Sequence, residues 1–132
     1  MSDVLSTRKF EQDGFTVIVE RIADDNPDAD WLTDPARYSD VTDATERAKY
    51  EAQDAERLAA LERGDWYFVG VAVTIRKQTA TKWADGGLEV GRASCWGIES
   101  DSDESFFADI ERDMITDAFA EVGALKEALF PA

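Results

Sequence analysis

The chain has 132 residues, no histidine, one cysteine and a formal net charge of −15. That length predicts one domain with a core of its own, and the 44% hydrophobic content argues against global disorder. No apolar run approaches the roughly 20 residues that a membrane span needs, and the charge disfavours binding to nucleic acid or anionic lipid.

The charge is unevenly distributed. Residues 20–65 carry a net −8 and residues 99–132 another −8, while residues 66–98 carry +2. The acidic residues therefore flank a near-neutral middle. The start, MSDVLSTRKFEQDG, has no apolar core of a secretory signal. With lone Cys95 it predicts a cytoplasmic protein with a structural thiol.

Residues 1–14 show no clear periodicity and read as a loose lead-in. Phe15 to Ile22 alternates Phe15, Val17 and Val19 against Thr16, Ile18, Glu20 and Ile22, which predicts a strand. Residues 23–43 hold two prolines, an asparagine and many aspartates, and read as a long acidic loop. Trp31, Leu32 and Tyr38 are expected to pin that loop to the body.

Residues 44–63 lack glycine and proline and predict a half-exposed helix on the sheet or on the loop. Thr42 or Asp43 suits its start, Glu46 stands at a capping-box spacing from Asp43, and Gly64 suits its end. Its apolar stripe is thin: Tyr50, Leu58 and Leu61.

Gly64 to Ile75, GDWYFVGVAVTI, is the longest β-branched and aromatic run. Tyr67, Val69, Val71, Val73 and Ile75 fall on one side, Trp66, Phe68, Gly70, Ala72 and Thr74 on the other, as in a central strand. Asp85-Gly86-Gly87 predicts a hairpin turn. A third strand follows over Leu88 to Ile98, weakened at Gly91 and Gly97, where a bulge is expected. Simple alternation puts Ser94, Trp96 and Ile98 on one side and Ala93, Cys95 and Gly97 on the other.

The last element starts near ESDSDESFF, where Asp101 with Glu104, or Ser100 or Ser102, could cap a helix. Phe106, Phe107, Ile110, Met114, Ala118, Val122, Leu125 and Leu129 recur at helical spacing. Asp109, Glu111, Asp113, Asp117, Glu121 and Glu127 lie off that stripe. The whole predicts a single α+β domain: a three-stranded antiparallel sheet packed with two helices.

The chemistry available is narrow. Without histidine there is no Ser-His or Cys-His pair, and one cysteine cannot build a zinc site. Glu99, Asp101, Asp103 and Ser105 alternate like calcium ligands. Counted from Asp101, however, the sixth and twelfth positions hold Phe106 and Arg112, where such a loop needs glycine and glutamate. No phosphate-cradling glycine loop is present, and with 29 acidic residues a carboxylate pair has no diagnostic value. Trp66, Trp83 and Trp96 near Arg76, Lys77, Lys82 and Arg92 could stack bases, but core packing is the simpler expectation. These readings predict no enzyme, no cofactor and no metal.

Gly64-Asp65-Trp66 through Gly70, and Trp96-Gly-Ile-Glu-Ser-Asp-Ser102 leading into an acidic helix, resemble a group of small acidic proteins of bacteriophages and mobile elements. The resemblance implies a phage-like origin and brings no catalytic residues. Combined with the charge, it leads to an expected function as an inhibitor of a host defence nucleoprotein, of the anti-CRISPR or antirestriction kind. Such a protein would act in the host cytoplasm on a basic, nucleic-acid-binding partner, without touching nucleic acid or membrane itself. The expected contact residues are Asp24, Asp25, Asp28 and Asp30 in the loop and Asp109, Asp113, Asp117 and Glu121 on the last helix. The alternatives are an accessory protein whose acidity serves solubility or a salty host, and a small ligand-binding module.

Overall fold

A computed structural model describes residues 3–25, 29–78 and 87–131. Its sheet has four strands, not three, in the order β1-β2-β3-β4, all antiparallel. The elements run β1 (Val4–Gln12), β2 (Phe15–Ala23), α1 (Ala44–Arg63), β3 (Phe68–Lys77), β4 (Leu88–Glu99) and α2 (Glu104–Leu129), with a 3-10 turn at Asp30–Leu32.

The added strand is β1, in the segment expected to be loose. Asp13 and Gly14 have φ of 54° and 84°, so two residues suffice to reverse the chain and pair Gln12 with Phe15. As an edge strand, β1 is almost wholly exposed, and only Phe10 is half-buried.

One face of the sheet is covered by α2. Val17, Val19, Val69, Val71, Val73, Ile75 and Ile98 are buried there with Phe107 and Ala118. Ile110, Met114, Ile115, Phe119 and Val122 pack around them. The helix seats its backbone almost against Gly91, where a Cβ would stand 2.4 Å from the Ala118 carbonyl oxygen. Of the expected helix stripe, Phe106, Leu125 and Leu129 are exposed. The stripe turns slightly, so Phe107 and not Phe106 enters the core.

Glu111 also departs from the sequence reading. It turns toward the sheet, where Arg21 donates to it at 3.0 Å and Arg8 approaches at 3.5 Å. Arg21 donates to Glu104 at 2.7 Å as well, and its guanidinium lies 4.3 Å from the Phe107 ring centroid. These contacts tie the first half of α2 to β2. The hydrogen bond between Arg21 and Glu104 raises the Arg21 pKa and lowers that of Glu104.

The second core is small: Leu32, Trp66 and Phe68, with Leu58, Ala60 and Leu61 of α1 packed on them. The long loop and α1 thus close over the start of β3, and α1 packs on the 3-10 turn of the loop and on the first residue of the strand. Tyr38 meets Tyr50 at 5.3 Å between ring centroids. Asp43 caps α1 by accepting from the Thr45 and Glu46 amides, and Gly64 ends it with φ of 80°. Glu46 does not complete a capping box; its carboxylate accepts from the Tyr50 hydroxyl.

At α2 the cap is Asp103, without a side-chain bond; neither Asp101, Ser100 nor Ser102 caps it. The Asp85-Gly86 turn lies outside the described residues, but the pairing of Lys77 with Leu88 gives the antiparallel β3–β4 hairpin. Among the described residues no helix is long and apolar enough to cross a membrane.

Candidate functional site

On α2, Asp109, Asp113, Asp117 and Glu121 are all exposed. Four-residue spacing at 1.5 Å per residue sets them about 6 Å apart along one ridge. Arg112 pairs with Asp109 at 3.0 Å. Asp113, Asp117 and Glu121 form no ion pair among the described residues.

The described members of the loop set differ in exposure. Asp24 is half-buried at the end of β2, its amide donating to the Phe68 carbonyl at 2.9 Å. Asp25 is exposed, and Asp30 is exposed at the start of the 3-10 turn. Asp28 lies outside the described residues.

The arginines explain why the negative ridge survives folding. Arg37 pairs with Asp54, Arg57 with Glu99 and Asp101, Arg63 with Glu56 and Asp65, and Arg92 with Glu89. With Arg21 and Arg8 held by Glu104 and Glu111, most of the guanidinium groups are paired with the chain's own carboxylates. Among the described residues, the ridge carboxylates Asp113, Asp117 and Glu121 are left without a guanidinium. The residues considered as a base-stacking surface are engaged too: Arg76 donates to the Gly87 carbonyl and Lys77 to that of Gly14, while Lys82 and Trp83 lie outside the described residues.

The WGIESDS string does two jobs in the fold. Its Asp101 receives both terminal nitrogens of Arg57 at 2.7 Å, which holds the turn before α2 against α1. Hydrogen bonding to Arg57 lowers the Asp101 pKa. Its Trp96-Gly97 pair forms a bulge, with Gly97 at φ of 77°, so that Val71 pairs with Cys95 but Val69 with Ile98. The bulge moves Ile98 onto the α2 face, contrary to simple alternation.

Trp96 is left 47% exposed on the other face and is not a core residue. Its ring covers Gly70, where a Cβ would stand 2.1 Å from the indole. Beside it runs a groove of about 370 Å³ lined by Trp31, Trp96, Ile98, Glu99, Phe106 and Ile110, among others. Sequence reasoning missed this groove. The signal was Gly97, because a bulge there breaks the alternation that assigned Trp96 and Ile98 to one side.

No protein-family model, curated protein or solved structure matches the chain.

Proposed function

We propose that the protein is an acidic inhibitor that binds a basic, nucleic-acid-binding protein and competes with nucleic acid for it. The α2 ridge carries this reading. Three of its carboxylates lack an ion-pair partner among the described residues, although the chain has arginines that could have been placed beside them. Like charges one turn apart repel by a few tenths of a kcal/mol per pair, and solubility does not require that they line up. A cationic groove on a partner would relieve the repulsion.

The WGIESDS and DWxxxG strings favour a bacteriophage or mobile-element protein, for which a host defence nucleoprotein, a CRISPR effector or restriction enzyme, is the fitting target. The protein would act in the host cytoplasm and carry out no reaction of its own. A gel-shift assay tests the reading: purified defence nucleoproteins are bound to their DNA and the chain is titrated in. Release of DNA from one of them, with no shift of DNA by the chain alone, is the expected result. If none releases DNA, the acidity serves solubility alone.

A further inference from the structure

We propose that the groove beside β4 receives an arginine side chain of the partner, anchoring it at the N-terminal end of the α2 ridge. This rests on the reading that the partner is basic. The chain binds its own arginines in a repeated way: guanidinium against an aromatic ring, with a carboxylate at its rim. Arg57 lies 3.7 Å from the Trp66 centroid and bonds Asp101. Arg21 lies 4.3 Å from Phe107 and bonds Glu104. Arg37 lies 4.4 Å from Trp31 and pairs with Asp54.

In the groove, Trp31 already stacks Arg37, whereas Trp96 and Phe106 stack no guanidinium among the described residues. Trp31, Trp96 and Phe106 are 39%, 47% and 50% exposed around it. Among the described residues Glu99 is its one lining carboxylate, held by Arg57 through a single oxygen at 3.3 Å, and no lysine or arginine lines it. Trp96 is fixed in advance: it lies on Gly70, and its indole N–H donates to the Ser94 hydroxyl at 3.3 Å. A half-exposed ring held in one pose loses little entropy on binding, and tryptophan is the best ring for a cation.

Charge selects the occupant. Glu99 lines the groove and Asp103 follows Ser102 of its wall in sequence, so the lining favours a cation over an anion. A second copy of the chain, itself at −15, would be repelled. The planar guanidinium stacks on rings and reaches a carboxylate at its edge, which an ammonium does not do as well. Phe106 and Ile110 stand within one turn of Asp109 and Asp113, so an extended basic segment anchored here would continue along the ridge.

The test uses the full chain and two short peptides, one alternating arginine with serine and the other lysine with serine. Affinities are measured calorimetrically at about 0.15 M salt, and tryptophan indole N–H resonances are followed by NMR. The expected result is that the arginine peptide binds about fivefold tighter than its lysine twin and shifts the indole signals of Trp31 and Trp96. Phe106→Ala, at an exposed side chain, should bring the ratio near one while melting like wild type; Trp31→Ala should do the same to the ratio but also loses the Arg37 stack and some stability. Asp113→Lys with Asp117→Lys should weaken both peptides alike and keep the ratio. A wild-type ratio near one, unmoved indole signals, or a ratio that survives both groove variants overturns the proposal. If the ridge variant binds both peptides as wild type does while the ratio persists, the ridge reading fails and the groove stands.

Discussion

Arg57 and Trp66 hold each other twice. The Arg57 guanidinium lies 3.7 Å from the Trp66 ring centroid, and the Trp66 indole N–H donates to the Arg57 carbonyl at 2.9 Å. Trp66 is 2% exposed, the largest fully buried side chain. The same guanidinium then reaches Asp101 with two nitrogens at 2.7 Å. One side chain thus joins α1, the small second core and the turn that starts α2.

Arg57→Lys is therefore not conservative. It removes the planar stack and the paired bond to Asp101. Because the pair is partly solvent-exposed, the loss should be about 1–2 kcal/mol. Trp66→Ala should cost more, about 3–5 kcal/mol, because it empties the middle of the second core. Urea unfolding monitored by circular dichroism checks both. Equal midpoints for wild type and Arg57→Lys would show that the contact stabilises nothing.

The same contact sets a pH dependence. Hydrogen bonding to Arg57 lowers the Asp101 pKa from its ordinary 3.8. A carboxylate with a lowered folded pKa contributes stability above its unfolded value and loses it as pH falls through the folded one. The stability gap between wild type and Asp101→Asn should thus be full at neutral pH, begin to shrink below about pH 4 and vanish in stronger acid. A gap that is constant with pH would mean that the charge of Asp101 does not matter.

The β3 valines, the span of α1 with its Asp43 and Gly64 ends, and the amphipathic α2 were legible because each rests on local periodicity or a local cap. The strand β1 was not. An edge strand buries too little to write an alternating pattern, and its one clear mark was the Asp13-Gly14 turn. The cap of α2 was misread because Asp101 and Glu104 are bound by Arg57 and Arg21, which are remote in sequence. Long-range ion pairs leave no spacing to find. The exposed α2 carboxylates follow directly from the helix period, whereas the Trp31–Trp96–Phe106 groove needs three separate elements and a bulge.

Gly91 tests how closely α2 is seated. A Cβ there would stand 2.4 Å from the Ala118 carbonyl oxygen and 2.8 Å from Val122 Cγ2. The first neighbour is helix backbone, which cannot swing aside. Gly91→Ala should force α2 outward and cost about 1–3 kcal/mol by overpacking. Thermal melting checks it. Gly97→Ala has open space around its Cβ, so any cost there comes only from its φ of 77°. A Gly91→Ala protein as stable as wild type would mean that the helix sits farther from β4.

Reversing the ridge should separate stability from function. In the native helix, the pairs Asp109–Asp113, Asp113–Asp117 and Asp117–Glu121 are like charges one turn apart. Asp113→Lys with Asp117→Lys turns the first and third into opposite-charge pairs and leaves the middle one repulsive. Each swing trades a repulsion of a few tenths of a kcal/mol for an attraction of similar size, about 0.5 kcal/mol, and the two together should stabilise the fold by about 1 kcal/mol at low salt. The net charge falls from −15 to −11, two units per substitution, which also relieves self-repulsion. If the ridge is there to meet a basic partner, the stabilised protein should be the weaker inhibitor. Its loss should be greatest at low salt and narrow as salt rises, because the missing contacts are electrostatic. Denaturant midpoints and DNA-release titrations on the same two proteins, over a range of salt, measure both quantities. A variant that is more stable and releases DNA as well as wild type at every salt concentration would show that the ridge plays no part in binding.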